Sequence, residues 1–207
     1  MIENNIKILQ DSFDSLVEII GEIPIGKIEQ FPYGWRKSAK GRTVWRILEE
    51  IIVQNLEKHY LELNLREVTP ATSEVGVYDL TVKYNGYTEH LYINIKSAVK
   101  GGRINKDDLS KAKSLIQFFD DDISRQLFIA TFVIDFTNRM TIKLDKIYVL
   151  PITWIPDIYV NPSNNGNLQS SKYKDIETAV KRTNVEFLNE LKQEIQVAEN
   201  KKLNKIH

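Results

Sequence analysis

Apolar positions near the start of the chain recur at helical spacing. Ile6, Leu9, Phe13, Leu16, Val17 and Ile20 fall on one stripe of residues 4–20, which predicts an amphipathic helix. The glycines and prolines of 21–35 mark a connecting segment. A second helix is predicted over 43–57, "TVWRILEEIIVQNLE", with Thr43 as its N-cap and an apolar face centred on Val44, Leu48 and Ile52. The period then changes from 3.6 to 2. Two alternating runs flank Asn85-Gly86, a pair that tolerates the positive φ of a type I′ hairpin turn. Residues 107–119 read as a helix, and 127–136, "LFIATFVIDF", as a central strand buried on both faces. Residues 146–154 read as a further strand ended by Pro151, 161–172 as a polar loop, and 183–203 as a last, charged helix. The order α, α, β-β, α, β, β, α gives an α/β (α+β) domain over 1–207: a mixed central β-sheet containing the hairpin, flanked by helices.

The hairpin separates two kinds of surface. A two-residue turn puts Tyr84 opposite Tyr87 and Asp79 opposite Tyr92, with Asn94 as a diagonal neighbour. Tyr78, Leu80 and Val82 then share an apolar face with Leu91, Ile93 and Ile95. Asp79, Asn94 and Lys96 share the other, and diagonal partners roughly 7–8 Å apart at the backbone can serve one ion. On the preceding helix, Glu49 lies toward the edge of the apolar face and Glu50 nearly opposite, at about 100° per residue. Glu49 is therefore the inward carboxylate. A plain solvent face of a half-buried hairpin accounts for the same polar residues.

Composition narrows the chemistry. Lys+Arg and Asp+Glu are both 28, so net charge offers no global attraction to nucleic acid and any basic surface is local. One such stretch is "GWRKSAKGRTVWR", where Arg36, Lys37, Lys40, Arg42 and Arg46 occur with no acid among them. It suits phosphate contacts, though an ordinary basic loop reads the same. There are no cysteines, which excludes thiolate zinc sites, thiol nucleophiles and disulfides. His59, His90 and His207 are scattered. No apolar run suits a membrane span or a signal peptide, and the chain reads as cytoplasmic.

Two further loops carry nucleic-acid chemistry. "SAVKGGRINK" follows the second hairpin strand, with Lys100, Arg103 and Asn105 beside a glycine pair that permits close backbone approach. "YVNPSNNGNLQSSKY" crowds Asn161, Asn164, Asn165, Asn167 and Gln169, residue types that pair with adenine in the major groove. Solvated turn chemistry also explains both compositions.

The run from Asp79 to "NIK" at 94–96 resembles the PD-(D/E)xK nuclease signature, with Tyr78 in the proline position and Asn94 in place of the second carboxylate. With the loop after the lysine and the amide-rich loop before the last helix, residues 43–195 resemble, in motif order and loop character, the EcoRV-like blunt-cutting type II restriction endonucleases. The resemblance implies a Mg²⁺-dependent homodimer that cuts a short palindromic site in double-stranded DNA. It also implies roles. Asp79, residue 94 and Glu49 would hold the ion, and Lys96 would orient the attacking water. Residues 1–42 would contribute dimer or DNA contacts, and 161–207 would form the recognition loop and C-terminal helix. No single base contact follows from the resemblance; the composition of the three polar stretches gives the DNA-binding set as Arg36, Lys37, Lys40, Arg42, Lys100, Arg103, Asn105, Asn164, Asn165, Asn167 and Gln169.

Asn94 has three readings: a natural neutral ligand, a shape-preserving replacement of an aspartate that disarms cutting, or the mark of a relative that only binds; the second is favoured, because Asp79, Lys96 and Glu49 remain in place. A DNA-binding protein without catalysis and a junction resolvase-like nuclease are the alternative functions. The amide-rich loop argues against the resolvase.

Overall fold

The computed structural model describes residues 2–35, 40–72, 76–102, 106–163 and 166–204, without the side chains of residues 40–42. Its helices are α1 (Ile2–Ile20), α2 (Lys40–His59), α3 (Ala112–Asp121) and α4 (Asn184–Leu203). Its strands are β1 (Glu22–Pro24), β2 (Leu65–Pro70), β3 (Leu80–Tyr84), β4 (Leu91–Val99), β5 (Asp107–Lys111), β6 (Gln126–Phe136), β7 (Thr141–Pro151), β8 (Tyr159–Val160) and β9 (Asn167–Ser170). Six of them form a sheet in the order β1-β7-β6-β4-β3-β2, and β5-β9-β8 form a second, smaller one. The main sheet is mixed, because β4 and β6 run parallel while its other pairs are antiparallel. Among the described residues, no helix is long and apolar enough to cross a membrane.

Strand β6 lies inside the sheet, and its alternation feeds two cores. Phe128, Ala130 and Phe132 join Leu9, Phe13 and Leu16 of α1 and Ile52 and Leu56 of α2. Leu127 and Ile129 join Leu115 and Phe119 of α3 and Phe187 and Leu191 of α4. Both faces are thus covered by helices, which is why β6 reads as a continuous apolar run. The apolar stripe of α1 is used in this packing: Leu9, Phe13 and Leu16 are all buried. Thr183 closes the start of α4 with a reciprocal capping box to Glu186, satisfying two free backbone donors.

Several expectations need correction. Thr43 lies inside α2 rather than at its cap; the helix begins at Lys40, and Gly41, a poor helix former, hid that first turn. Residues 107–111 form β5 rather than the start of a helix, because pairing with β9 supplies long-range hydrogen bonds that local pattern does not reveal. Strand β9 likewise lies within the stretch read as a loop. The connecting segment 21–35 holds β1, an edge strand against β7 where Pro24 removes no interior ladder bond.

The hairpin register also moves. The observed pairs are Leu80↔Ile93, Thr81↔Tyr92 and Val82↔Leu91, so the strands are offset by two positions from the expectation. The cause is the turn. Tyr87 N–H donates to the Tyr84 carbonyl at 3.2 Å, and Gly86 has φ +83° while Asn85 is not in the left-handed region. That geometry is type II-like rather than I′, and the chain runs on to Leu91 before pairing. An offset of two preserves every facing, since strand side chains repeat every second residue. Leu80, Val82, Leu91, Ile93 and Ile95 accordingly share the first core. Tyr78 does not join them. It precedes β3 and packs edge-on against Tyr92, 4.9 Å between ring centroids, on the opposite face.

Candidate active site

Asp79 stands immediately before β3, where the backbone leaves the ladder. Its own N–H donates to the Ile93 carbonyl at 2.8 Å, and its Oδ2 accepts the Ile95 N–H at 2.6 Å. The carboxylate is therefore pinned to the backbone between residues 94 and 96. Burial raises its pKa above the usual aspartate range. The Ile95 N–H, the Lys96 charge and Glu49 pull the other way.

Glu49 comes from α2, whose buried Val44, Leu48 and Ile52 hold the helix face against the protein as the sequence predicts. Glu49 is half-buried, whereas Glu50 is exposed and bonded to Gln54 one turn on. Burial first, and the charge of Asp79 second, push the Glu49 carboxyl up to about 7, against the pull of Arg46. Its Oε2 is buried without a hydrogen-bond partner. Lys96 is half-buried on β4. Burial lowers its pKa, while Asp79, Glu49, Asp108 and Asp107 oppose that shift. Three residues far apart in sequence thus meet electrostatically. Arg46, noted earlier only as one of a basic run, belongs to the same field.

Asn94 is 5% exposed. Its Nδ2 donates to the Val77 carbonyl at 2.9 Å and to the Leu109 carbonyl at 3.3 Å. Its Oδ1 is buried with no partner. Among the described residues, no three His, Cys, Asp or Glu side chains stand close enough to hold a metal ion together. Charged oxygen donors at this site are therefore Asp79 and Glu49, while Asn94 offers an uncharged one. Two carboxyls that perturb one another, one of them raised to about 7, are donors of the kind a hard cation that keeps several waters takes.

The second sheet closes one side. A depression of about 210 Å³ is lined by Lys96, Asp108, Lys111, Ser114 and Asn167 among others, so β9 reaches the neighbourhood of the candidate lysine. Asn167 Oδ1 is buried there without a partner. Gln169 is committed within the sheet, donating to Asp108 at 2.6 Å and accepting from Asn161 at 3.3 Å. A larger cavity of about 630 Å³, between α4 and the β8–β9 connection, shares Lys111 and Ser114 with the first. Asp107 and Asp108, missed as site residues, were visible as an acidic pair shortly after the lysine. The pairing of β5 with β9 and the Asn94–Leu109 hydrogen bond bring them back toward Lys96.

The remaining DNA-contact candidates divide in two. Lys100 is ion-paired with Asp135 at 3.1 Å and Asp145 at 3.0 Å, so its charge is already matched. Arg36, Lys37, Arg103, Asn105, Asn164 and Asn165 lie outside the described residues, as do the side chains of Lys40 and Arg42. No family model matches the chain, and no curated protein is significantly similar to it in sequence.

Proposed function

We propose that the protein is a Mg²⁺-dependent endonuclease of the type II restriction kind, a cytoplasmic homodimer that cuts both strands of a short palindromic DNA site. The observation that carries this reading is the convergence of Glu49, Asp79 just before β3 and Lys96 within β4, with the Glu49 carboxyl raised to about 7. Perturbed acids clustered beside a desolvated lysine suit the charge stabilisation and proton transfer of phosphodiester hydrolysis.

Asp79, Glu49 and the amide oxygen of Asn94 would hold the cation. Bound there, it would neutralise charge on the phosphate and acidify a water. Protein groups carry the rest. The Ile95 N–H fixes the Asp79 carboxylate, so the acid is oriented before substrate arrives. Lys96, with its pKa pulled down by burial, orients the attacking water and takes part in its proton transfer. The water oxygen bonds to phosphorus while one ester oxygen leaves and is protonated. Two-fold symmetry of a dimer would match that of a palindrome, one strand to each subunit.

Incubation of supercoiled duplex DNA with the protein and Mg²⁺, against an EDTA control, tests this reading. Linear product that depends on Mg²⁺ is expected; intact plasmid across a range of sequences and divalent ions contradicts it. The uncharged Asn94 favours one second reading, a sequence-specific DNA-binding protein without catalysis. Salt-sensitive, sequence-selective binding without cutting would identify it.

A further inference from the structure

We propose that Asn94 is a positioning residue whose NH₂ group is indispensable, and that asparagine belongs at this site rather than standing in for an aspartate. The argument begins with its two donors. One reaches the carbonyl of Val77, two residues before Asp79; the other reaches the carbonyl of Leu109, one residue after Asp108. A single side chain on β4 therefore ties together the approach to Asp79, strand β5 and the strand that carries Lys96.

These bonds fix which end of the amide faces which way, because carbonyl oxygens can be served only by the NH₂. Val77 and Leu109 are themselves buried, so water cannot readily replace the lost donors. An aspartate has the same outline but, ionised, has no donor. Its oxygens would confront two carbonyl oxygens at about the distances the amide nitrogen now occupies. The change from asparagine to aspartate preserves shape and reverses the local electrostatics. The orphaned Oδ1 is free at the other end of the same group. Asparagine supplies donors to the scaffold and keeps one oxygen for the site, a division of labour that a carboxylate cannot reproduce.

The clamp itself rests on contacts that do not depend on catalysis; its bearing on cation binding rests on the nuclease reading. The test uses the full chain with Asn94→Asp and Asn94→Ala. Both are expected to lower the melting temperature at neutral pH by about 4–10 °C, as buried carbonyls lose their donors. In ¹⁵N spectra, one side-chain NH₂ pair with slowed solvent exchange should be present in the parent and absent from both variants. Calorimetric Mn²⁺ affinity, measured where Asn94→Ala is still folded, should fall about tenfold, as the site loses the amide oxygen and Asp79 loses its support. A merely structural role would leave that affinity unchanged. If Asn94→Asp keeps the parent's melting temperature and binds Mn²⁺ more tightly, asparagine is only a disarmed carboxylate and the proposal fails. A parent chain that binds no divalent cation and cuts no DNA would overturn the nuclease reading and the positioning role together. The melting and NMR results would then judge the clamp separately.

Discussion

The carboxyl of Glu49, on α2, is held near 7 by its burial and by the charge of Asp79, a residue in a different segment ahead of β3. Apart from Arg46, one turn before Glu49 on α2, the charged groups that perturb either acid are distant from it in sequence. Their coupling is a property of the fold, and it makes the site sensitive to pH and to cations at once.

The pH dependence has a definite sign. The folded Glu49 pKa of about 7 lies above its ordinary value of 4.5, so between those values the folded state holds a proton that the unfolded chain has released. In metal-free buffer, stability should therefore fall as pH rises from about 5 to 8. The loss attributable to Glu49 is about 1–2 kcal/mol, reduced from the full linkage value because the group is only half-buried. Thermal melts of Glu49→Gln should lack this component. Identical pH slopes in the two proteins would show that Glu49 is not shifted.

Divalent cations should reverse that loss. At pH 8, Mg²⁺ or Mn²⁺ should raise the melting temperature of the parent by binding only the folded state, with the gain growing with cation concentration. Asp79→Asn should abolish the gain. Differential scanning calorimetry with and without 10-fold steps of cation would read it, and an equal response in both proteins would place the cation elsewhere.

Lys96→Met should separate stability from chemistry. Removing the ammonium costs stability chiefly at high pH, where Asp79 and Glu49 are ionised and lose their shared cation; at lower pH the protonated acids make the cost small. The same change should raise the Glu49 pKa further, because one opposing positive charge is gone. Cutting should fall by about 10²–10³-fold, the scale on which a charge-stabilising group is felt. A variant that melts like the parent and cuts like it would remove Lys96 from the mechanism.

Lys100→Ala should leave duplex binding and its salt dependence unchanged, since Lys100 is already matched by Asp135 and Asp145. A shallower dependence of log K on log salt would instead place that lysine on a phosphate.

The two sheets were not equally legible. β6 announced itself through a long β-branched and aromatic run, β7 only in its second half, since the strand read at 146–154 spans Thr141–Pro151 and gives way to a 3₁₀ turn over Ile152–Trp154. Glu49 could be told from Glu50 because α2 has a clear apolar face. The hairpin facing survived a wrong turn assignment only because the offset was even. Strands β5 and β9 were invisible. Asp107–Lys111 has no strand alternation of its own and is held by pairing with a segment some distance along the chain. Asn94 shows the deepest limit. Its partners are backbone carbonyls of Val77 and Leu109, atoms every residue possesses, so no pattern of side chains could reveal that this position needs a donor.

The most direct test of the account is digestion of a long duplex of known sequence with Mg²⁺, using the chain with Asn94 in place beside its Asp79→Ala variant. Discrete fragments from the former and intact DNA from the latter are predicted, and the sequenced ends would give the target. Uncut DNA from the parent over many sequences and metals, or equal cutting by both proteins, would contradict the assignment of Asp79, Glu49 and Lys96 as a nuclease site.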